Sequence, residues 1–272
     1  MKNTTKPAIS VLMTSYNEEL YIKDALNSIL AQTFTDFEII IIDDGSQDLT
    51  CDIVAEIAKA DDRIVFYKNE LNIGIFPSLN KGLELARGRY IVKMDSDDWS
   101  YPDRIEKQFA FMEAHPDVVI SGGSMEVCDS ELNVLNKRAY NLTDEAVRMK
   151  LFRYSPFCHP TTIYRRDAAL KAKGYNEALL AAGDYDFYFR IGVYGKFANL
   201  SDVLLKYRSN PGSISHTKSK IQEKNTFKIR YDAVREYNYK IGFFDIFYNV
   251  AQYIGMIILP QKVKYWIFNL FR

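Results

Sequence analysis

The sequence has no excess of charge of either sign. Among its 272 residues, lysine plus arginine and aspartate plus glutamate each number 35. A protein that binds nucleic acid through the phosphate backbone needs a basic surface. No nucleic-acid partner is therefore expected, and any functional charge has to be local.

Cysteine is also scarce. The three cysteines, Cys51, Cys128 and Cys158, are far apart and form no CxxC pair. This pattern favours neither a zinc site nor a disulfide framework, and it is typical of a reducing, cytoplasmic compartment. The polar start "MKNTTKPAIS" lacks the apolar core of a secretion signal, so secretion is not expected.

Long hydrophobic runs are missing too. The most apolar stretch, 243–259, contains Asp245, Asn249 and Gln252. It is shorter than the roughly 20 residues that cross a bilayer, so no transmembrane helix is predicted. The aromatic and cationic segment 243–272 remains compatible with a peripheral contact at the inner membrane, with a helix that covers the sheet, or with a dimer contact.

What the chain does contain is a regular alternation of apolar strands and amphipathic helices. The four consecutive isoleucines from Ile39 to Ile42 suit a central parallel strand that is buried on both faces. The alternation predicts an α/β fold with a Rossmann-like, mostly parallel sheet flanked by helices. The predicted strands are 9–13, 37–42, 64–67, 90–94 and 203–208, and the predicted helices are 50–60, 76–86 and 184–194. Further helices are predicted after Pro102, after Thr143 and after Asn17, which is expected to be a helix cap. From about residue 218 the chain is predicted to be helical, which divides it into a domain 1–217 and a helical extension 218–272.

Polar side chains follow three of the predicted parallel strands. Each motif alone is explained by a helix cap or a turn. All three motifs, however, fall at carboxyl ends of strands, the sheet edge at which ligands bind in α/β folds. The residues are Thr14, Ser15, Tyr16 and Asn17 after the first strand, Asp43 and Asp44 after the second, and Asp95, Ser96, Asp97 and Asp98 after the fourth.

The carboxylates of the "DSDD" loop repel one another unless a positive group lies among them. Asp95 and Asp97 are two residues apart and suit one hard divalent cation, Mn²⁺ or Mg²⁺. The sequence fits neither an EF-hand, because position 99 is Trp, nor a GxGxxG dinucleotide site, because the first turn reads "TSYNEE". A metal at this edge suggests a bound diphosphate.

Four stretches in this order resemble the family 2 glycosyltransferases with the GT-A fold, the large bacterial group that builds surface polysaccharides. They are "ISVLMTSYNEELYIKDALNSILAQTFTDFEIIIIDDGSQD", "LNKGLELARGRYIVKMDSDDWSYPDRIEKQ", "GDYDFYFRI" and "YRSNPGSIS". The resemblance covers residues 8–216.

The resemblance implies a role for each matching position. Thr14, Tyr16 and Asp44 match the residues that hold the nucleoside base, and Asn17 and Ser96 are counted with that nucleotide site. Asp95 matches the position near the ribose and diphosphate, and Asp97 the metal-binding aspartate of the DxD motif. Asp184 matches the catalytic base; the alternative for it is a helix N-cap.

The sequence departs from the family pattern at several positions. Gly183 stands where an acid usually precedes the base, Leu79 where many members carry an arginine, and Asn210 where a histidine is common. His216 or Arg208 is a candidate to replace that histidine.

Three further residues are candidates for the acceptor site: His159, Trp99 and Asp186. A packed loop histidine, a core tryptophan and a structural aspartate are the alternatives.

The resemblance implies an inverting, metal-dependent enzyme. It would move a sugar from a nucleotide-diphosphate donor, with UDP the better choice, to a hydroxyl of a glycan or lipid-linked acceptor. Two alternatives stay open. A sugar-nucleotide pyrophosphorylase would need a glycine-rich, basic N-terminal signature, whereas a non-catalytic nucleotide-sugar binding module would have no use for Asp184.

Overall fold

The computed structural model describes residues 6–209 and 219–258. The first part alternates strands and helices as predicted. Its elements are β1 (Ile9–Ser15), α1 (Ile22–Leu30), β2 (Phe37–Asp43), α2 (Thr50–Ala60), β3 (Ile64–Lys68), α3 (Ile75–Leu85) and β4 (Tyr90–Asp95). Their strands pair in parallel in the order β3-β2-β1-β4.

The second part completes a nine-stranded sheet with mixed directions. Its elements are β5 (Trp99–Ser100), α4 (Arg104–Ala114), β6 (Val118–Cys128), β7 (Val134–Arg138), α5 (Asp144–Lys150), a 3₁₀ turn (His159–Thr161), β8 (Ile163–Arg165), α6 (Arg166–Lys171), α7 (Gly183–Ile191) and β9 (Lys196–Arg208). The sheet continues from β4 as β8-β6-β9-β5, and β7 pairs with β6. The antiparallel pairs β4–β8 and β6–β8 turn the chain direction at the middle of the sheet.

The predicted α/β fold is confirmed, with local differences. Four strands of the second part, β5, β6, β7 and β8, are not among the predicted strands. β5 has two residues and β7 is largely exposed, so neither leaves an apolar pattern. The helix after Pro102 begins at Arg104. The helix predicted over 184–194 runs instead from Gly183 to Ile191.

Alternate residues of the central strands pack into two separate cores, one on each face of the sheet. Leu12 and Ile40 belong to one core, and Val11 and Ile41 belong to the other. Because successive strand side chains point to opposite faces, a run of apolar residues is what a strand covered on both sides requires. The site edge is thus carried by strands held rigidly from both faces.

Two helices follow the gap in the described residues, α8 (Ser219–Glu236) and α9 (Phe243–Ile258). Ile229 and Ala233 of α8 are buried in the core that α7 also lines, whereas α9 has no buried residue. None of the helices in 6–209 or 219–258 is both long and apolar enough to cross a bilayer. The division between 1–217 and 218–272 falls at the edge of residues 210–218, outside the described part, and stays a prediction.

Candidate functional site

The three polar motifs meet at one edge of the sheet, as the sequence predicted. β1 lies between β2 and β4, and all three run parallel. In register, Thr14 stands beside Asp95 on one side, and Ser15 stands beside Asp43 on the other. The carboxyl ends of these strands therefore form a continuous polar rim.

Asp43 closes the turn that leaves β2. Its buried carboxylate accepts hydrogen bonds from the hydroxyls of Ser15 (3.1 Å) and Ser46 (2.5 Å) and from the backbone N–H groups of Gly45 (3.1 Å) and Ser46 (2.8 Å). Gly45 has φ 82°, which only glycine adopts without strain. For Asp43, the turn interpretation is sufficient.

Asp44 holds a second loop against the rim. Its Oδ1 accepts from the Asn69 side-chain amide (3.0 Å), the Ile73 N–H (3.0 Å) and the Ser78 hydroxyl (2.9 Å), and its Oδ2 accepts from the Gly74 N–H (2.9 Å). A carboxylate offers about four acceptor sites, so Asp44 fixes the loop between β3 and α3. Sequence reasoning missed Asn69 and Ser78, although Asn69 directly follows β3 at the same edge.

The residues after β1 form an open loop and not the start of a helix. The expectation that Asn17 caps α1 is wrong, because α1 begins at Ile22 after Tyr21. Asn17 has φ 55°, a conformation that asparagine tolerates, and its Oδ1 accepts from the Gln47 N–H at 2.9 Å. The Tyr16 side chain is 45% exposed on the rim, which leaves its ring free to receive a planar group.

The acidic loop after β4 brings three carboxylates together. One oxygen each of Asp95, Asp97 and Asp98 lies within 4.8 Å of the others. Asp98 is fully buried, and its Oδ1 accepts from the Arg208 N–H at 2.9 Å. Its Oδ2 is also buried and has no hydrogen-bond partner among residues 6–209 and 219–258. Burial, followed by the charges of Asp97 and Asp95, raises the pKa of Asp98 well above its usual range.

A positive side chain of the neighbouring strand binds this loop. Lys93 is fully buried in β4, and its Nζ donates to the Met94 carbonyl (2.7 Å) and to Asp95 Oδ1 (2.5 Å). Burial alone would raise the pKa of Asp95, but the charge and hydrogen bond of Lys93, together with smaller contributions that include the charge of Arg104, lower that pKa. Arg104, also fully buried, donates to the carbonyls of Lys93 (2.8 Å) and Pro160 (2.7 Å). Lys93 escaped prediction because in the sequence it is one polar residue inside an apolar strand.

The loop fits a divalent cation. Asp95, Asp97 and Asp98 contribute three negative charges when ionised, and Lys93 contributes one positive charge. A divalent cation would favour the ionised form of Asp98, whose pKa is otherwise raised by burial and by the charges of Asp97 and Asp95. Carboxylate oxygens are the ligands these ions prefer, and the buried Oδ2 of Asp98 lacks a partner that a cation would supply.

Glu18 is a fourth carboxyl group that faces this loop. Burial, followed by the charges of Asp97, Asp95 and Asp48, raises the pKa of Glu18 to about 8. Its backbone is fixed by a hydrogen bond from the Glu18 N–H to the Thr50 hydroxyl at 2.8 Å. Glu18 escaped prediction, because its place in "YNEE" is typical of an exposed acid in a loop.

Asp184 lies in the first turn of α7. The cap of this helix is Ala182, in a left-handed conformation with φ 62°, so the N-cap interpretation of Asp184 is wrong. Its carboxyl group is half-buried. Burial raises the pKa of Asp184, the N–H groups of the helix start oppose the shift, and the charges of Asp95 and Asp186 add to it. The repulsion by Asp95 indicates that α7 brings Asp184 up to the acidic loop.

The missing acid at position 183 has a steric explanation. A Cβ added to Gly183 would come within 2.5 Å of the Phe76 ring. Phe76 is buried in the core at the start of α3. Leu79, one turn after Phe76, is fully buried as well. Neither position 183 nor position 79 therefore presents a charged group to the site.

His159 is held between two tyrosines. Its Nδ1 lies 2.9 Å from the Tyr188 hydroxyl and its Nε2 lies 3.1 Å from the Tyr175 hydroxyl. Burial, followed by repulsion from Lys93, lowers the pKa of His159 to about 3. The imidazole is therefore neutral near pH 7, and its packing is typical of a structural histidine.

The other two acceptor candidates have structural partners as well. Asp186 forms an ion pair with Arg190 one turn along α7 (2.6 Å). Trp99 packs edge-on against Tyr101, with ring centroids 5.2 Å apart. An acceptor role for His159, Asp186 or Trp99 stays a prediction.

Two candidates of the late loop lie outside the described residues, namely Asn210 and His216. Arg208 lies just before them and is buried. Its guanidinium donates to the Ser130 carbonyl and contacts Asp24 at 3.2 Å. Arg208 thus reaches the acidic loop through its backbone N–H.

Replacing Lys93 with methionine tests the internal counter-ion. Lys93→Met keeps the length of the side chain but leaves Asp95 without its cation, and breaking a buried pair in this way costs about 3–5 kcal/mol. Because the Asp95 side chain is 32% exposed, we expect the free energy of unfolding to fall by about 2 kcal/mol, measured by urea denaturation in EDTA. The control is Lys107→Met, which removes surface ion pairs with Asp103 and Asp202 and should cost less than about 1 kcal/mol. Equal losses in the two variants would contradict a special role for Lys93.

Replacing Glu18 with glutamine tests the pKa of that carboxyl group. Between about pH 4.5 and 8 the folded protein holds a proton on Glu18 that the unfolded chain releases. The free energy of unfolding therefore contains a component that decreases as pH rises through this window. In EDTA, Glu18→Gln should show a flatter pH dependence than the wild type, and Glu56→Gln on α2 controls for the loss of one exposed acid. Parallel curves for wild type and Glu18→Gln would rule out the raised pKa.

Known proteins resemble this chain in fold. The structure of S. aureus TarS 1–349 in complex with UDP-GlcNAc superposes with a TM-score of 0.70 at 23% identity, over 91% of this chain and 69% of that one. The mannosyltransferase PcManGT from Pyrobaculum calidifontis, in complex with GDP-Man and Mn²⁺, superposes with a TM-score of 0.65 at 16% identity, over 94% and 71%.

Sequence relatives cover most of the chain. An uncharacterized glycosyltransferase of Methanocaldococcus jannaschii is 32% identical over 95% of this chain and 91% of its own length. The amylovoran biosynthesis glycosyltransferase AmsE of Erwinia amylovora is 33% identical over 76% and 78%. The pattern of the family described as Glycosyl transferase family 2 matches residues 10–172. The sheet-edge site and these matches agree, and the chain belongs to glycosyltransferase family 2.

Proposed function

We propose that this protein is a metal-dependent, inverting glycosyltransferase that uses a nucleotide-diphosphate sugar, UDP-linked, as donor. The observation that carries the proposal is the placement of Asp184. Its half-buried carboxyl group lies close enough to the acidic loop for the charge of Asp95 to add to its raised pKa, and the three carboxylates of that loop suit a cation. A base opposite a diphosphate site is what a single displacement at a sugar carbon needs.

The nucleoside would lie on the rim after β1 and β2. The exposed Tyr16 ring offers a stacking surface, and Thr14 lies beside it. Asp44 would act on the base through the loop between β3 and α3, which it holds in place and which would form the wall of this pocket. The complex of TarS with UDP-GlcNAc supports a uridine donor, whereas that of PcManGT with GDP-Man keeps guanosine as the rival.

Asp95 and Asp97 would hold the divalent cation, with the buried Oδ2 of Asp98 as a further ligand. The cation, when bound, would neutralise the charge that develops on the departing diphosphate. Lys93 keeps Asp95 ionised and in place by binding its Oδ1, so the other oxygen of Asp95 remains available to the cation or the ribose.

Asp184 would act as the general base. It would accept the proton of an acceptor hydroxyl while that oxygen forms a bond to the anomeric carbon of the donor. The bond from that carbon to the diphosphate oxygen breaks on the opposite face, so the configuration inverts and no covalent enzyme intermediate forms. Partial burial suits this role, because a carboxylate with a raised pKa is a stronger base.

The acceptor is proposed to be a glycan or lipid-linked sugar used in polysaccharide biosynthesis, in the cytoplasm. The relative named for amylovoran biosynthesis supports this assignment. The match to family 2 disfavours the pyrophosphorylase alternative. A non-catalytic binding module remains the rival, and it differs from an enzyme in making no use of Asp184.

Calorimetric titration with UDP tests the donor and the metal together. We expect binding in the presence of Mn²⁺ and a loss of affinity of about tenfold or more in EDTA, because the diphosphate and the acidic loop repel each other without a cation. GDP and dTDP titrations are the controls. Tighter binding of GDP would replace uridine with guanosine in the proposal, and failure of all three nucleotides would refute it.

Replacing Asp184 with asparagine separates an enzyme from a binding module. Asp184→Asn keeps the shape of the side chain but removes the base. Turnover of the donor should fall by about 10²–10⁴-fold, with UDP affinity unchanged. Asp167→Asn, which removes an exposed carboxylate of α6 paired with Lys171, is the comparison and should keep the turnover of the wild type. Unchanged turnover in Asp184→Asn would remove Asp184 from the mechanism.

A further inference from the structure

Helix α9 turns its polar side toward the protein and its apolar side toward water, the reverse of the usual orientation. In a helix on the surface of a globular protein, the apolar side faces the core and the polar side faces water. In α9 the polar side chains contact the body of the protein. None of the residues of α9 is buried, and its large apolar side chains are among the most exposed in the described chain.

The contacts of the inner face are polar and specific. Asp245 forms an ion pair with Arg153 at 2.6 Å. Asn249 donates to the Phe152 carbonyl at 3.0 Å. Arg230 of α8, itself buried, donates to Asn249 Oδ1 (2.8 Å) and to the side-chain carbonyl of Gln252 (2.7 Å). Because positions 245, 249 and 252 share one side of a helix, these bonds fix the rotation of α9 about its own axis.

The opposite face is a continuous apolar stripe. Phe247 is 70% exposed and Ile254 is 49% exposed, and both lie across the helix from Asp245. Their exposed apolar neighbours on this side are Phe243, Val250, Ile257 and Ile258. The stripe carries no acidic residue, since Asp245, the one acid of α9, is on the inner face. Leaving such a stripe in water is costly.

The charges that flank α9 indicate which kind of partner covers its apolar face. Lys240, directly before α9, is exposed. The fourteen residues after α9, 259–272, contain Lys262, Lys264 and Arg272 but no acid. Aromatic and aliphatic side chains flanked by cations, on one face of a helix whose other face is polar, are typical of segments that lie in the interface of an anionic membrane. A second copy of the chain would bring the same positive charges together.

We propose that the outer face of α9 docks the protein on an anionic lipid surface, with Phe247 and Ile254 inserted among the lipids. The polar inner face holds the helix to the body through Arg153 and Arg230, so the domain stays on the water side. The outer face of α9 is remote in sequence from the acidic loop, so this docking does not depend on the enzymatic function proposed above.

Co-sedimentation of the full chain with vesicles tests this docking. We expect binding to phosphatidylcholine vesicles that contain about 30% phosphatidylglycerol, and weaker binding to pure phosphatidylcholine. The pair Phe247→Glu and Ile254→Glu should lower the partition coefficient by about tenfold or more. The pair Phe247→Ser and Ile254→Ser, which adds no charge, should lower it as well. The control pair is Leu135→Glu and Leu170→Glu, at 65% and 43% exposure on other elements, and it should bind as the wild type does.

Several results would overturn the proposal. Absence of vesicle binding by the wild type, or undiminished binding by both α9 variants with native circular dichroism, rules out a lipid contact at this face. Light scattering that shows a dimer, dissociated by the glutamate pair, assigns the face to a second copy. Protease protection of 259–272 without vesicles, lost in the glutamate pair, assigns it to the end of the chain itself.

Discussion

The contact between Lys93 and Asp95 is the interaction on which the site depends. Three carboxylates within 4.8 Å of one another repel strongly in a partly buried loop. A lysine buried inside β4 places one positive charge against them, and Arg104 ties the backbone of that lysine to the loop that carries His159. The fold thereby keeps the carboxylates together before any cation or diphosphate arrives.

The rest of the rim is built by polar groups that first serve the fold. Asp43 closes one turn and Asp44 clamps the loop before α3, each through several hydrogen bonds that leave its carboxylate nearly saturated. On the other side, Phe76 packs against Gly183 and sets the approach of α7, which delivers Asp184 to the electrostatic field of Asp95. Preorganisation of this kind is what precise chemistry at a sugar carbon requires, because donor, cation and base have to be fixed relative to one another.

The sheet and helix α9 differ in which side chains they bury. Around the sheet, apolar side chains are buried in two cores and polar groups collect at one edge. In α9, three polar side chains bind the body and the apolar stripe is exposed. From composition alone the same helix fits a membrane contact, a covering for the sheet or a dimer contact. Only the direction of its hydrogen bonds distinguishes a helix that completes a core from one that offers an apolar surface to a partner.

The sequence by itself determined how strands and helices alternate in the parallel part of the sheet. It also determined that Thr14, Asp44 and Asp95 meet at one edge, and that the chain belongs to glycosyltransferase family 2. These properties follow from local patterns, since a doubly apolar run such as Ile39–Ile42 specifies a central strand and the ends of parallel strands meet at one edge. Tertiary structure alone decided that Lys93 neutralises Asp95, that Glu18 has its pKa raised to about 8 by neighbours far along the chain, that Asn17 braces a loop instead of capping a helix, and that α9 turns its apolar face outward. Each of these depends on groups distant in sequence that only packing brings within a few ångströms, where burial strengthens every charge and hydrogen bond.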